Sequence, residues 1–168
     1  EQIAIYDAYA DAFAVIHANV QAALDATRVV DKVEGATYNS GAKSAAISVF
    51  ESVKQRAFCQ LLIGMKLPAL IPAITADLAR GECAVIQLVS TSEAMLNRTL
   101  AALTPEERAN LDVQLSPLEG ILGYLRASFP VRMMKTFTDE NGKVRSEPMS
   151  DGDGSPVISR EAEDLRDA

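Results

Sequence analysis

The sequence predicts a mainly α-helical fold with one small α/β element, and three observations carry that prediction. The chain has 168 residues, 48% hydrophobic but only 5% aromatic with no Trp, so its core must be built mostly from Ala, Leu, Ile and Val. Apolar residues recur at helical spacing through long stretches. Signals for β-structure are confined to one short β-branched run and one Asn-Gly turn.

The first helix is read from Ile5, Tyr9, Phe13, Ile16, Val20, Leu24 and Thr27, whose steps of three and four keep them on one face. Asp7, Asp11 and Asp25 fall off that stripe. Glu34-Gly35 and Asn39-Ser40-Gly41 then read as a loop. A second helix is expected from Lys43 to Lys66, with Phe50, Val53, Ala57, Leu61 and Met65 on its stripe and Ile47, Phe58 and Leu62 widening it. Pro68 and Pro72 predict a break near Leu67 and a new helix ending at Arg80-Gly81.

Cys83 to Val89 is short, apolar and β-branched, bounded by Gly81 and Ser90-Thr91-Ser92, and reads as one buried strand over about 83–89. Ser90 with Glu93 forms a capping box that starts the next helix. Thr104-Pro105 and Ser116-Pro117 are two further helix starts, and the last of these helices should end near Phe129-Pro130. Residues 131–138 and 143–149 flank Asp139-Glu140-Asn141-Gly142, a C-terminal β-hairpin signal. An acidic loop at 150–156 and a helix start at Ser159 follow. This divides the chain into a helical connector at 1–42, helices plus an opening strand at 43–130, and a hairpin, acidic loop and helix start at 131–168. The chain opens at Glu1 and stops at Ala168, each inside a helical pattern, so it is read as a piece of a longer protein.

Composition narrows function by exclusion. A net charge of −7 argues against a whole-surface nucleic-acid binder, although residues 28–80 carry 7 basic and 4 acidic side chains. Residues 139–168 carry 4 basic and 9 acidic ones, read as solvated surface. The longest apolar runs are broken by charge or Pro, and no secretory leader pattern is visible, so no membrane association is expected. Cys59 and Cys83 are read as core thiols in a reducing compartment. His17 is the sole histidine and sits at the edge of its stripe. No zinc set of ordinary spacing and no Ser/His/Asp triad can be assembled, and no catalytic residue is assigned. In Gly41-Ala42-Lys43-Ser44, Ala42 splits the Gly-Lys pair of a phosphate loop, and an ordinary helix start is the better reading. Asp151-Gly152-Asp153-Gly154-Ser155 imitates a calcium loop but places Pro156 where Gly is required. The place with chemical potential is the strand end at Ser90-Thr91-Ser92, where hydroxyls and free N–H groups at a helix N-terminus suit an anion.

Three blocks then carry a resemblance: Phe50-x-Ser52-x-x-Gln55-Arg56-x-Phe58, then Gly81-x-Cys83-x-Val85-Ile86-x-Leu88-x-Ser90-Thr91-x-Glu93-Ala94, then Phe129-Pro130. In that order they resemble the strawberry notch family of superfamily 2 helicase-like proteins. Asp139-Glu140-Asn141-Gly142 and Arg145-Ser146-x-Pro148 look like its bacterial branch, the methylase/helicase type. The resemblance implies a parent with two RecA-like lobes that clamp ATP and Mg²⁺ and bind DNA. This chain would supply the connection after the first lobe and the opening strand and helices of the second. Ser90, Thr91 and the helix N-terminus that follows at Ser92 would lie at the nucleic-acid backbone, with Lys54, Gln55, Arg56 and Arg98 as further, weaker contacts. Its partners would be DNA and the lobes supplied by the rest of the parent, in a bacterial cytoplasm, near the nucleoid. The chain itself lacks Walker motifs, so the resemblance implies ATP hydrolysis by the parent and not by this piece. The competing reading from the residues is an autonomous helical interaction module that binds a partner or a second copy through its wide apolar helix faces.

Overall fold

A computed structural model describes residues 1–30, 37–87, 97, 100–101, 104 and 117–168. Its named elements are α1 (Gln2–Ala26), α2 (Ser40–Ala79), α3 (Pro117–Ala127), β1 (Met134–Thr138), β2 (Val144–Pro148) and α4 (Arg160–Asp167). The fold is mainly helical with a small antiparallel β-hairpin. The chain divides into two compact units, one formed by Glu1–Lys54 with Leu122–Ala168, the other by Gln55–Ile121.

In the first unit, the predicted stripe of α1 buries where it has something to pack on. Phe13, Val20 and Leu24 are buried, whereas Ile3, Ile5 and Tyr6 in the opening turns are exposed. Thr27 ends the helix fully buried; its hydroxyl donates to the Ala23 carbonyl at 2.7 Å, and its own carbonyl accepts from the Met134 N–H at 2.9 Å. Arg28 follows in the left-handed region at φ 61°. The Arg28 N–H returns to the Asp25 carbonyl and the Val29 N–H to the Leu24 carbonyl, a Schellman closure with buried Leu24 and Val29 as its apolar pair.

Asn39 starts α2: its Oδ1 accepts from the Ala42 N–H at 2.9 Å. Gly41-Ala42-Lys43-Ser44 is therefore the first turn of a capped helix. The β-hairpin forms where the Asn-Gly signal places it, with Phe137 opposite Arg145 and Thr138 opposite Val144. Asp139 builds the turn, its Oδ1 accepting from the N–H groups of Asn141 and Lys143 while Gly142 takes φ 74°. The base of the hairpin is tied to residues 157–159, since Met133 N–H donates to the Val157 carbonyl and Ser159 N–H to that of Val131. Ser159 caps α4 through Ala162 N–H, and Asn19 Nδ2 on α1 reaches the Leu165 carbonyl at 2.8 Å.

Four expectations are corrected. Pro68 and Pro72 do not break the second helix; both lie inside one 40-residue helix. Each removes one backbone bond, but the carbonyls four residues earlier, on Gly64 and Pro68, belong to exposed residues that water can satisfy. That continuity overturns the expectation that no apolar stretch is long enough for a membrane. By length and composition alone, α2 holds an 18-residue window that could cross one, and only 11% of the window is buried. Residues 83–87, the described part of the expected strand, form neither helix nor strand, and Val85 is 95% exposed. β-branched composition does not make a strand without a neighbour to take its N–H and C=O groups. Cys83 is accordingly exposed rather than a core thiol, while Cys59 is half-buried.

Candidate nucleic-acid interface

The resemblance places its strongest backbone contacts at Ser90, Thr91 and Ser92, and these three, with the weaker candidate Arg98, lie outside the described residues. The other three fall on α2. Lys54, in the first unit, is half-buried and committed locally: its Nζ pairs with Glu51 Oε2 at 2.6 Å and sits 5.4 Å from the centre of the Phe50 ring. A lysine already neutralised and lying over an aromatic face has less to offer a phosphate. Gln55 and Arg56 open the second unit on the same helix and both are exposed. Arg56 makes no ion pair among the described residues, so its guanidinium is more available than the Lys54 ammonium to a phosphate oxygen.

Beneath Lys54 lies an aromatic cluster that the sequence did not assemble. Phe50 is fully buried between Phe13 (ring centres 6.1 Å apart) and Tyr124 (6.0 Å), and Tyr124 meets Phe129 edge-on at 6.2 Å. His17 lies flat on Phe50, the ring planes 8° apart and the centres at 5.4 Å, and its Nε2 is 3.3 Å from the Gln21 amide. The histidine is exposed at the edge of the core, where its stripe position put it. Tyr124 Oη is buried without a hydrogen-bond partner among the described residues, and burial pushes its phenol up to about 12. The long sequence separation of Phe13, Phe50 and Tyr124 is why spacing alone did not join them.

A second feature lies elsewhere in the first unit. An open groove of about 520 Å³ runs between the end of α1 and the start of α4, with Arg28 and Arg160 on its walls beside Asp25 and Glu161. Its mixed charges favour neither sign of ligand. Among the described residues no three His, Cys, Asp or Glu side chains gather to hold a metal ion. The Asp151–Ser155 segment closes on itself instead, with Asp153 Oδ1 accepting from the Ser155 N–H. That bond holds the Asp153 carboxyl below its ordinary range.

No protein-family profile, no curated protein and no solved structure matches this chain.

Proposed function

We propose that this chain is a non-catalytic part of an ATP-dependent superfamily 2 helicase-like protein of the strawberry notch type. In this reading it links the two motor lobes and contributes part of the DNA-binding surface. The observation that carries the reading is the ordered set of motifs from Phe50 to Phe58, Gly81 to Ala94 and Phe129-Pro130. Two features support it. Gln55 and Arg56 of the first motif are exposed on α2, open to a backbone phosphate. Val85 and Ile86 of the second motif are exposed β-branched residues with no ladder, the condition of a segment that completes a sheet with strands from elsewhere. ATP and Mg²⁺ belong to the parent by resemblance, and no residue of this chain is assigned to them. DNA and the remaining lobes are the partners, in a bacterial cytoplasm near the nucleoid.

Binding of the chain to fluorescent single- and double-stranded DNA tests this. Weak binding that Arg56→Ala or Thr91→Ala reduces several-fold is the expected result. Equal binding by both variants would remove these residues from the interface.

A second reading, a helical docking module without a nucleic-acid role, is favoured by the apolar residues left exposed on α2, among them Leu67, Leu70, Ile71 and Leu78.

A further inference from the structure

Apolar residues in the second half of α2 form a line in which Leu67, Leu70 and Leu78 are exposed and Ile63 and Ile74 are half-buried. Ile63, Leu67, Leu70, Ile74 and Leu78 step by four, three, four and four along a continuous helix, which makes one seam about 24 Å long. Leu67 is 42% exposed, Leu70 39%, Ile71 on its flank 57% and Leu78 59%. Pro68 and Pro72 project from the opposite side of the helix, so the pyrrolidine rings do not interrupt the seam.

From this face we infer that α2 pairs antiparallel with α2 of a second copy of the chain, around a two-fold axis near Leu70 and Ile71. The seam is self-complementary in that register: Leu70 lies beside Ile71 of the second copy, Leu67 beside its Ile74 and Ile63 beside its Leu78. A two-fold contact requires this matching of one patch with itself. The charges select the antiparallel orientation. Lys66 and Asp77 lie on the same flank of the seam, near opposite ends, and same-flank residues meet across an antiparallel helix pair. In the register above, Lys66 stands two residues, about 3 Å, from the level of Asp77 of the second copy, within reach of a lysine. Lys66 is exposed and has no ion pair among the described residues. Asp77 gives its Oδ1 to Arg80 and keeps Oδ2 for a second cation. In a parallel pair that flank lies on opposite edges of the two helices, and Lys66 would have no Asp77 of the second copy to meet. A lipid bilayer would accept the apolar seam but would have to take in Lys66 at its middle.

Sedimentation equilibrium of the full chain, from low to high micromolar concentration, tests the pairing. The expected result is a monomer–dimer equilibrium. Leu67→Asp with Leu70→Asp should abolish it while leaving the helical circular dichroism unchanged, because both side chains are already exposed. Lys66→Asp alone should weaken the dimer about fivefold through its two symmetric ion pairs. Lys66→Asp combined with Asp77→Lys should recover it. A chain that stays monomeric throughout overturns the inference. So does a dimer indifferent to the seam substitutions, or co-sedimentation with phosphatidylcholine vesicles in place of self-association. The inference stands on the α2 face alone and is unaffected by the outcome of DNA binding.

Discussion

Asn39 holds two elements at once: its Oδ1 caps the first turn of α2 through the Ala42 N–H, and its Nδ2 donates to the carbonyl of Ser146 on β2 at 3.1 Å. The two are 107 positions apart in sequence. The amide carries an acceptor for the helix start and a separate donor for the strand carbonyl on one short stem. Asn39→Asp keeps the cap and loses the donor; Asn39→Ala loses both. We expect Asn39→Ala to cost about 2 kcal/mol and Asn39→Asp about 1 kcal/mol, measured by urea denaturation.

Arg28 occupies the position after α1 where glycine is the ordinary choice. A left-handed non-glycine residue costs about 1 kcal/mol, partly offset in glycine by greater freedom of the unfolded chain. Arg28→Gly should therefore raise stability by about 0.5 kcal/mol, visible as a higher melting temperature. A lower one would show that the arginine side chain contributes contacts that outweigh the backbone cost.

Asp139 should make the hairpin acid-sensitive. The Arg145 guanidinium, at 2.6 Å, holds its carboxyl below the ordinary range, assisted by the N–H groups of Lys143 and Asn141. A carboxyl depressed in the folded state contributes stability above its unfolded value, about 3.9, and loses it as pH falls through the folded value. NMR titration of the Asp139 carboxyl should give a midpoint below that value, and Arg145→Ala should move it upward. Asp139→Asn should remove this contribution to acid unfolding.

Tyr124 responds at the other end of the pH range. With its phenol raised to about 12, the folded state resists ionisation that the unfolded chain accepts near 10. The resulting stability is complete below about 10 and is lost as pH rises towards 12. Spectrophotometric titration should show one late-titrating tyrosine, absent in Tyr124→Phe. Because the hydroxyl is buried without a partner among the described residues, that substitution should be neutral or stabilising by up to about 1 kcal/mol.

The fold was legible where local rules decide. The stripe on α1, the Asn-Gly hairpin and the Ser159 cap each follow from residues within a few positions of one another. It was illegible where surroundings decide. Pro68 and Pro72 carry a helix-breaking signal, yet an exposed helix can pass its orphaned carbonyls to water. Cys83 to Gln87 carries a strand signal, yet a strand exists only in a ladder, and nothing in that window says where a partner lies. Of the candidate contacts on α2, Gln55 and Arg56 are exposed. Lys54 is half-buried, with Glu51 taking up its charge and Phe50 lying under it, a commitment that its place in the sequence does not announce.

The most direct measurement of the proposed role is the salt dependence of DNA binding by the intact chain. The account predicts an association constant for single-stranded DNA that falls with added salt, with a log–log slope of about −2, as expected for roughly three phosphate contacts. Arg56→Ala should flatten the slope by about 0.7, one contact's worth. A chain that binds no DNA at low salt, or binds with no salt dependence, would contradict a place on a nucleic-acid track.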